Sequence, residues 1–207
     1  MNRRKIFFLA SIFLSLLLSP AGQALEKPEN SPGLEDEIFE SPPQEISYSL
    51  VQDLPNARAI RRHAHKKSEA QWAGGRFQFQ EAPGVADISA SESYVVGGTA
   101  HEAIVVQTQP GYETTLIFHR TPPGKKLKVF LGLPDIAFKN EKPAQVTLEA
   151  WIGQKKILET QVDKKGWRQE QIDLNLPYLL QRSFALTFRI TSADSLAMTV
   201  LLYGYID

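Results

Sequence analysis

The sequence predicts an all-β fold, an antiparallel β-sandwich, and three observations predict it. About ten short runs alternate apolar and polar side chains with a period of two, the mark of strands buried on one face. Glycine, proline and asparagine clusters separate those runs, and no stretch has the 3.6-residue apolar period of an amphipathic helix. The chain is also of ordinary globular composition, with 207 residues, 43% hydrophobic and 22% charged, which is enough for one well-buried core and cramped for two.

At the amino terminus Arg3, Arg4 and Lys5 precede an apolar run from Ile6 to Leu18, and Gly22-Gln23-Ala24 offers small residues where a signal peptidase reads. The expectation is a signal peptide over residues 1–24, an exported protein, and a periplasmic or extracellular destination. An uncleaved anchor is the alternative, but the apolar run is short of the roughly 20 residues that span a bilayer. Arg3-Arg4 also touches the twin-arginine export pattern, although the short charged region favours ordinary secretion. No cysteine is present, so lipoprotein attachment and disulfides are excluded and the core must supply the stability. Loss of residues 1–24 leaves 20 basic against 23 acidic residues, a net charge of −3. That balance does not suggest a nucleic-acid partner.

Residues 25–45 carry Pro28, Pro32, Pro42 and Pro43 with seven acidic residues and one lysine, a composition expected of a disordered tether. The domain proper is expected over 46–207. Ile46 to Val51 alternates as a first strand. Arg58, Arg61, Arg62, Lys66 and Lys67 then crowd together with His63 and His65. This cluster reads either as a solvated loop or short helix, or as a contact surface for an anionic headgroup or acidic polysaccharide. His63 and His65 lack a third ligand nearby, so no metal site is expected there.

Phe77 and Phe79 share a face in the next run, and Pro83-Gly84 marks a loop. Ser93–Val96 and Ala103–Thr108 flank the turn at Gly97-Gly98, which lacks the lysine and hydroxyl spacing of a phosphate loop. Thr114–Arg120 and Lys126–Leu131 continue the strands. The segment from Gly132 to Ala144 has little periodicity; its Asp135 and Glu141 supply oxygen ligands but no fixed calcium-binding spacing. Val146–Ile152 places Val146, Leu148, Ala150 and Ile152 on one face and Thr147, Glu149 and Trp151 on the other. Gly153-Gln154 suits a two-residue type II′ turn, which returns the chain through Ile157–Val162. Trp167 opens another run ending near Leu174, and Phe184–Ile190 and Met198–Ile206 complete the chain.

Leu131-Gly132-Leu133-Pro134-Asp135, the Val146–Ile152 strand, Gly166-Trp167 followed by Ile172-Asp173-Leu174, and the two closing strands together resemble galactose-binding-like jelly-roll domains, which include carbohydrate-binding modules. The resemblance covers roughly Tyr94 to Asp207 and, more loosely, Ile46 to Gln80. It implies an antiparallel β-sandwich of jelly-roll type and a module that mostly binds glycans, less often lipid, protein or nucleic acid. Such domains usually sit beside a catalytic domain, and none is present in these residues. The family has no fixed site motif to carry over, and Trp167 resembles its core tryptophan.

A sugar site needs an aromatic surface for the apolar ring face and charged or amide groups for the hydroxyls. Trp151 and Glu149, with Arg189 and Thr187 on the polar face of a later strand, are the candidate ligand-binding residues. The competing reading is that Glu149 and Arg189 form a plain cross-strand pair and Trp151 packs into the protein. No nucleophile elbow, HExxH helix or placed acid/base pair appears, so no catalytic residue and no cofactor is expected, and hydrolysis or another enzymatic role stands third among the readings. The sequence therefore points to a non-catalytic module for a glycan or another envelope ligand, or to an envelope assembly protein that meets a protein partner or anionic surface.

Overall fold

The computed structural model describes residues 46–79, 88–138, 145–174, 182–193 and 197–207. The expected leader and tether, the Pro83-Gly84 loop and Glu141 lie outside them. The strands are β1 (Tyr48–Ser49), β2 (Arg58–His63), β3 (Lys66–Ala73), β4 (Arg76–Gln78), β5 (Ile88–Val96), β6 (Thr99–Thr108) and β7 (Tyr112–Thr121). They continue with β8 (Lys126–Gly132), β9 (Val146–Ile152), β10 (Lys155–Val162), β11 (Trp167–Asp173), β12 (Phe184–Ser192) and β13 (Met198–Ile206).

All pairings are antiparallel, and they run in one hydrogen-bonded path, β10-β9-β12-β7-β2-β3-β4-β5-β6-β13-β8-β11, with β1 added to β13. β3 joins the two layers of this jelly-roll sandwich. Its first half pairs with β2, and its last residues, Gln71–Ala73, pair with β4. The first layer is therefore β10-β9-β12-β7-β2-β3 and the second β4-β5-β6-β13-β8-β11. Between them lie Leu116, Phe118, Leu148, Phe188 and Ile190 from the first layer and Ile104, Val106, Leu127, Val129 and Leu202 from the second, all fully buried.

The two ends of the path, β10 and β11, are consecutive in sequence and meet through side chains. Arg168 Nη1 donates to the Gln161 carbonyl at 2.9 Å, and the Thr160 hydroxyl donates to Glu170 Oε1 at 2.8 Å. Burial pushes the Glu170 carboxyl up, but hydrogen bonds from Arg168 and Thr160 outweigh it and hold the group below the usual carboxylate range. A carboxylate held this way adds stability that is present above the unfolded value of about 4.3 and is lost as pH falls through the depressed one. Glu170→Gln is therefore expected to flatten the fall in stability below about pH 5, read from urea unfolding at stepped pH.

Two stretches differ from the sequence expectation. Ile46–Val51 gives only the two-residue β1, because Ser49 accepts the Gln52 amide at 3.4 Å and caps a helical turn, α1 (Leu50–Asp53), followed by a 3-10 turn at Leu54–Asn56. Leu50, Val51 and Leu54 are buried by that turn, a helical spacing that the local alternation concealed. The basic cluster is neither loop nor helix but the β2–β3 hairpin. Its period was hidden because the inward position after Ala59 is an arginine. Arg61 is buried, with its guanidinium 4.2 Å from the Phe79 ring centroid and Nη2 donating to the Gln107 carbonyl at 3.0 Å.

The Gly153-Gln154 turn forms as expected. Gly153 has φ +60° and Gln154 is not in the left-handed region, as a type II′ turn requires. A different constraint applies at Gly204, where an added Cβ would stand 2.6 Å from Leu50 Cδ1 and 3.0 Å from the Lys128 carbonyl oxygen. The carbonyl is fixed in the β8–β13 ladder, so Gly204→Ala is expected to destabilise the protein by about 1–3 kcal/mol in chemical denaturation.

Candidate functional site

The turn at Gly153-Gln154 pairs Lys155 with Ile152 and so sets Lys156 opposite Trp151 and, after a bulge at Ile157, Glu159 opposite Glu149. On the other side of β9, Trp151 faces Thr187 and Glu149 faces Arg189 on β12. All four residues expected from the sequence thus meet on the solvent side of the first layer. Leu148, Ala150, Leu186, Phe188 and Ile190 fill the opposite side and fix the strand faces.

The cluster is closely coupled. Trp151 Nε1 donates to Glu149 Oε2 at 3.0 Å, and the Arg189 guanidinium lies 4.6 Å from the Trp151 ring centroid. Arg189 Nη1 is 4.0 Å from Glu149 Oε2, while Lys156 Nζ donates to Glu149 Oε1 at 3.2 Å and to Glu159. Lys156 Nζ also lies 5.7 Å from the Trp151 ring centroid. Hydrogen bonds donated to Glu159 and Glu149 hold the Lys156 ammonium above its ordinary value, so it stays charged at neutral pH. Arg189 Nε is buried without a hydrogen-bond partner among the described residues.

Both readings of these side chains have a physical counterpart here. Glu149 and Arg189 are direct cross-strand neighbours, as a plain ion pair requires. Trp151 is half-buried rather than enclosed, with charged groups on two sides, as a polar ligand surface requires. Lys156 was missed from the sequence, although counting back from a two-residue turn places it opposite Trp151.

The polar face continues toward β2. Arg62 pairs with Glu113 at 3.3 Å, and next to them a cleft of about 410 Å³ is lined by Arg62, Ala64, Gly111, Tyr112, Glu113, Thr191 and Ser192. His63 stacks on Tyr112 with centroids 4.3 Å apart. Pairing divides the basic cluster: Arg58 binds Glu69, Arg62 binds Glu113, and Arg61 points inward. Lys66 and Lys67 remain exposed at the hairpin end. Asp135 lies in a short 3-10 turn, Asp135–Phe138, and the described residues contain no group of three or more acidic, histidine or cysteine side chains arranged for a metal ion. Among them, no helix is long and apolar enough to cross a membrane.

No protein-family model matches the chain, and no curated protein matches it. Solved structures similar to it include the CBM51-2 and INT domains of ZmpB from Clostridium perfringens, at 9% identity over 79% of this chain and 40% of that one, with a TM-score of 0.43. Another is CBM27-1 of Caldicellulosiruptor saccharolyticus in complex with mannohexaose, at 10% identity over 70% of this chain and 87% of that one, with a TM-score of 0.40. The K1 cleaved adhesin domain of Lys-gingipain from Porphyromonas gingivalis W83 is a third, at 14% identity, 62% and 86% coverage and a TM-score of 0.38. Carbohydrate-binding modules recur among these structures.

Proposed function

We propose that the chain is an exported, non-catalytic module that binds a carbohydrate on the polar face of β9, β10 and β12. The single observation that carries this reading is the grouping of half-buried Trp151 with Glu149, Arg189 and Lys156. It combines an apolar indole with a carboxylate and two cations held on rigid strands. Such a surface suits a polyol: apolar sugar carbons meet the indole, while hydroxyls donate to Glu149 and accept from Arg189 and Lys156. Thr187, opposite Trp151, adds a hydroxyl to the same face. Opposite charges alternate across it, which favours a neutral glycan over a strongly acidic one.

Glycan-array binding by the protein lacking residues 1–24 tests the proposal. The expected result is binding to one class of neutral envelope or extracellular polysaccharide that Trp151→Ala abolishes while leaving the circular dichroism spectrum unchanged. Binding that survives the substitution removes this site.

A second reading is favoured by one observation, that Glu149 already accepts from Trp151 and Lys156 and lies near Arg189. The cluster would then be a cross-strand brace in an envelope assembly protein. In that case the array shows no binding, Trp151→Ala lowers the melting temperature, and a pull-down recovers an envelope protein partner.

A further inference from the structure

The second layer has an aromatic outer face that its strands alone would leave in solvent. Phe130, Tyr203, Tyr205 and Trp167 point away from the core side of β8, β13 and β11, opposite to Leu127, Val129 and Leu202, yet each is no more than 8% exposed. The β5–β6 hairpin covers part of that face. β6 pairs with β13 only from Thr108 to Ile104, while Thr99 to Ala103 pairs only with β5. Beyond that point β1 takes the place beside β13, with Ser49 opposite Tyr205. The β5–β6 ladder is itself irregular between Ser91 and Tyr94.

The detached end of the hairpin packs through one imidazole. His101 stacks on Tyr203 at 5.4 Å and 16°, lies 5.5 Å from Phe130, and meets Trp167 edge-on at 5.3 Å and 87°. Trp167 Nε1 donates to the Thr99 carbonyl at 3.2 Å. At the tip, a Cβ on Gly97 would stand 3.1 Å from Gly166 Cα, so the hairpin end abuts the β10–β11 turn. His101 Nε2 is buried and has no hydrogen-bond partner among the described residues.

We propose that the β5–β6 hairpin is a latch over this aromatic face, held closed by neutral His101 among Phe130, Tyr203 and Trp167, and released when the imidazole takes a proton. A neutral ring gives up little by leaving water for three aromatic neighbours. An imidazolium there loses hydration at Nε2, whose N–H has no acceptor among the described residues.

Among the described residues no carboxylate pairs with the imidazole. Tyr203 and Tyr205 face the site from β13, Tyr94 from β5, and Lys128 lies over Tyr205 from β8. Burial, then Glu102 and Tyr205, push the Tyr203 hydroxyl up to about 12. Glu102, beside His101 on β6, accepts from the Ser49 hydroxyl at 3.2 Å. Arg168, next to Trp167 on β11, is engaged with Glu170. Burial accordingly pushes the His101 imidazole below its ordinary value. Its contribution to closure is fully present above the unfolded value of about 6.5 and is lost as pH falls through the depressed one.

The test is the solvent protection of the Trp167 indole Nε1–H in the full chain, followed by NMR at pH 8 and pH 5 and corrected for intrinsic exchange. The expected result is at least a tenfold loss of protection at pH 5 with the β7 and β12 amides unchanged, and no loss in His101→Phe. Should the Phe variant not fold, His101→Gln, also uncharged, serves the same purpose. His63, His65 and His119 remain in both variants. An equal loss of protection in a folded variant, or none in the parent protein, overturns the latch.

Discussion

Phe188→Ala is expected to cost about 3–5 kcal/mol, measured as a fall in the urea midpoint at unchanged slope. Phe188 is fully buried at the middle of β12, with its ring edge-on to Phe118 of neighbouring β7 at 6.1 Å and 83°. Truncation removes both the transfer free energy of the ring and its contacts, and strands paired on both sides of β12 cannot close on the space. Since a domain of this size has about 5–15 kcal/mol in total, the variant sits near the threshold of folding. The same strand turns Thr187 and Arg189 outward, so loosening its inner face also disorders the proposed sugar surface. Phe118→Ala combined with Phe188→Ala is expected to cost less than the sum of the two singles, because each already removes their mutual contact.

Glu149→Ala is the second large effect, and it acts on both stability and binding. The carboxylate accepts the Trp151 indole N–H and the Lys156 ammonium and is the nearest acid to Arg189. Its removal leaves a half-buried indole donor unsatisfied and two cations, Lys156 and Arg189, without their common carboxylate. A cost of about 1–2 kcal/mol is expected, at the lower end for charged hydrogen bonds because the site keeps contact with water. Glycan affinity is expected to fall at least tenfold, since in the proposed site the same carboxylate accepts from sugar hydroxyls. Glu149→Gln keeps one acceptor oxygen and is expected to recover much of the stability but little of the binding. A loss of stability in both variants, with no glycan bound by the parent protein, would favour the brace over the sugar site.

The inward and outward faces of β9 and β12 were legible from local alternation, because each strand has one dry face and a register error of one residue would expose it. The same logic predicted Glu149 and Trp151 on one polar face. What local pattern does not contain is which strands become neighbours. The Arg189–Glu149 and Thr187–Trp151 pairings join positions about 40 residues apart and depend on β12 inserting between β9 and β7.

The β2–β3 hairpin was hidden for a different reason. A buried arginine breaks the apolar period, and the aromatic ring and carbonyl that make Arg61 tolerable come from distant segments. Trp167 shows a third limit. Its burial was expected, but it is achieved on the outer side of its layer, beneath the β5–β6 hairpin rather than between the layers, because a glycine-turned hairpin leaves the sheet and folds back over it. Nothing in the alternation of Thr99 to Thr108 marks where β6 parts from β13.

The most direct measurement of the sugar-site account is a glycan titration followed through the three tryptophan indole N–H resonances by NMR. Trp151 lies in the proposed site, Trp72 lies edge-on to Phe77 at 5.0 Å, and Trp167 lies under the hairpin. The account predicts that a saturating neutral oligosaccharide shifts the Trp151 resonance and leaves the other two in place. A bound saccharide that shifts Trp72 or Trp167 while Trp151 stays unmoved would contradict it.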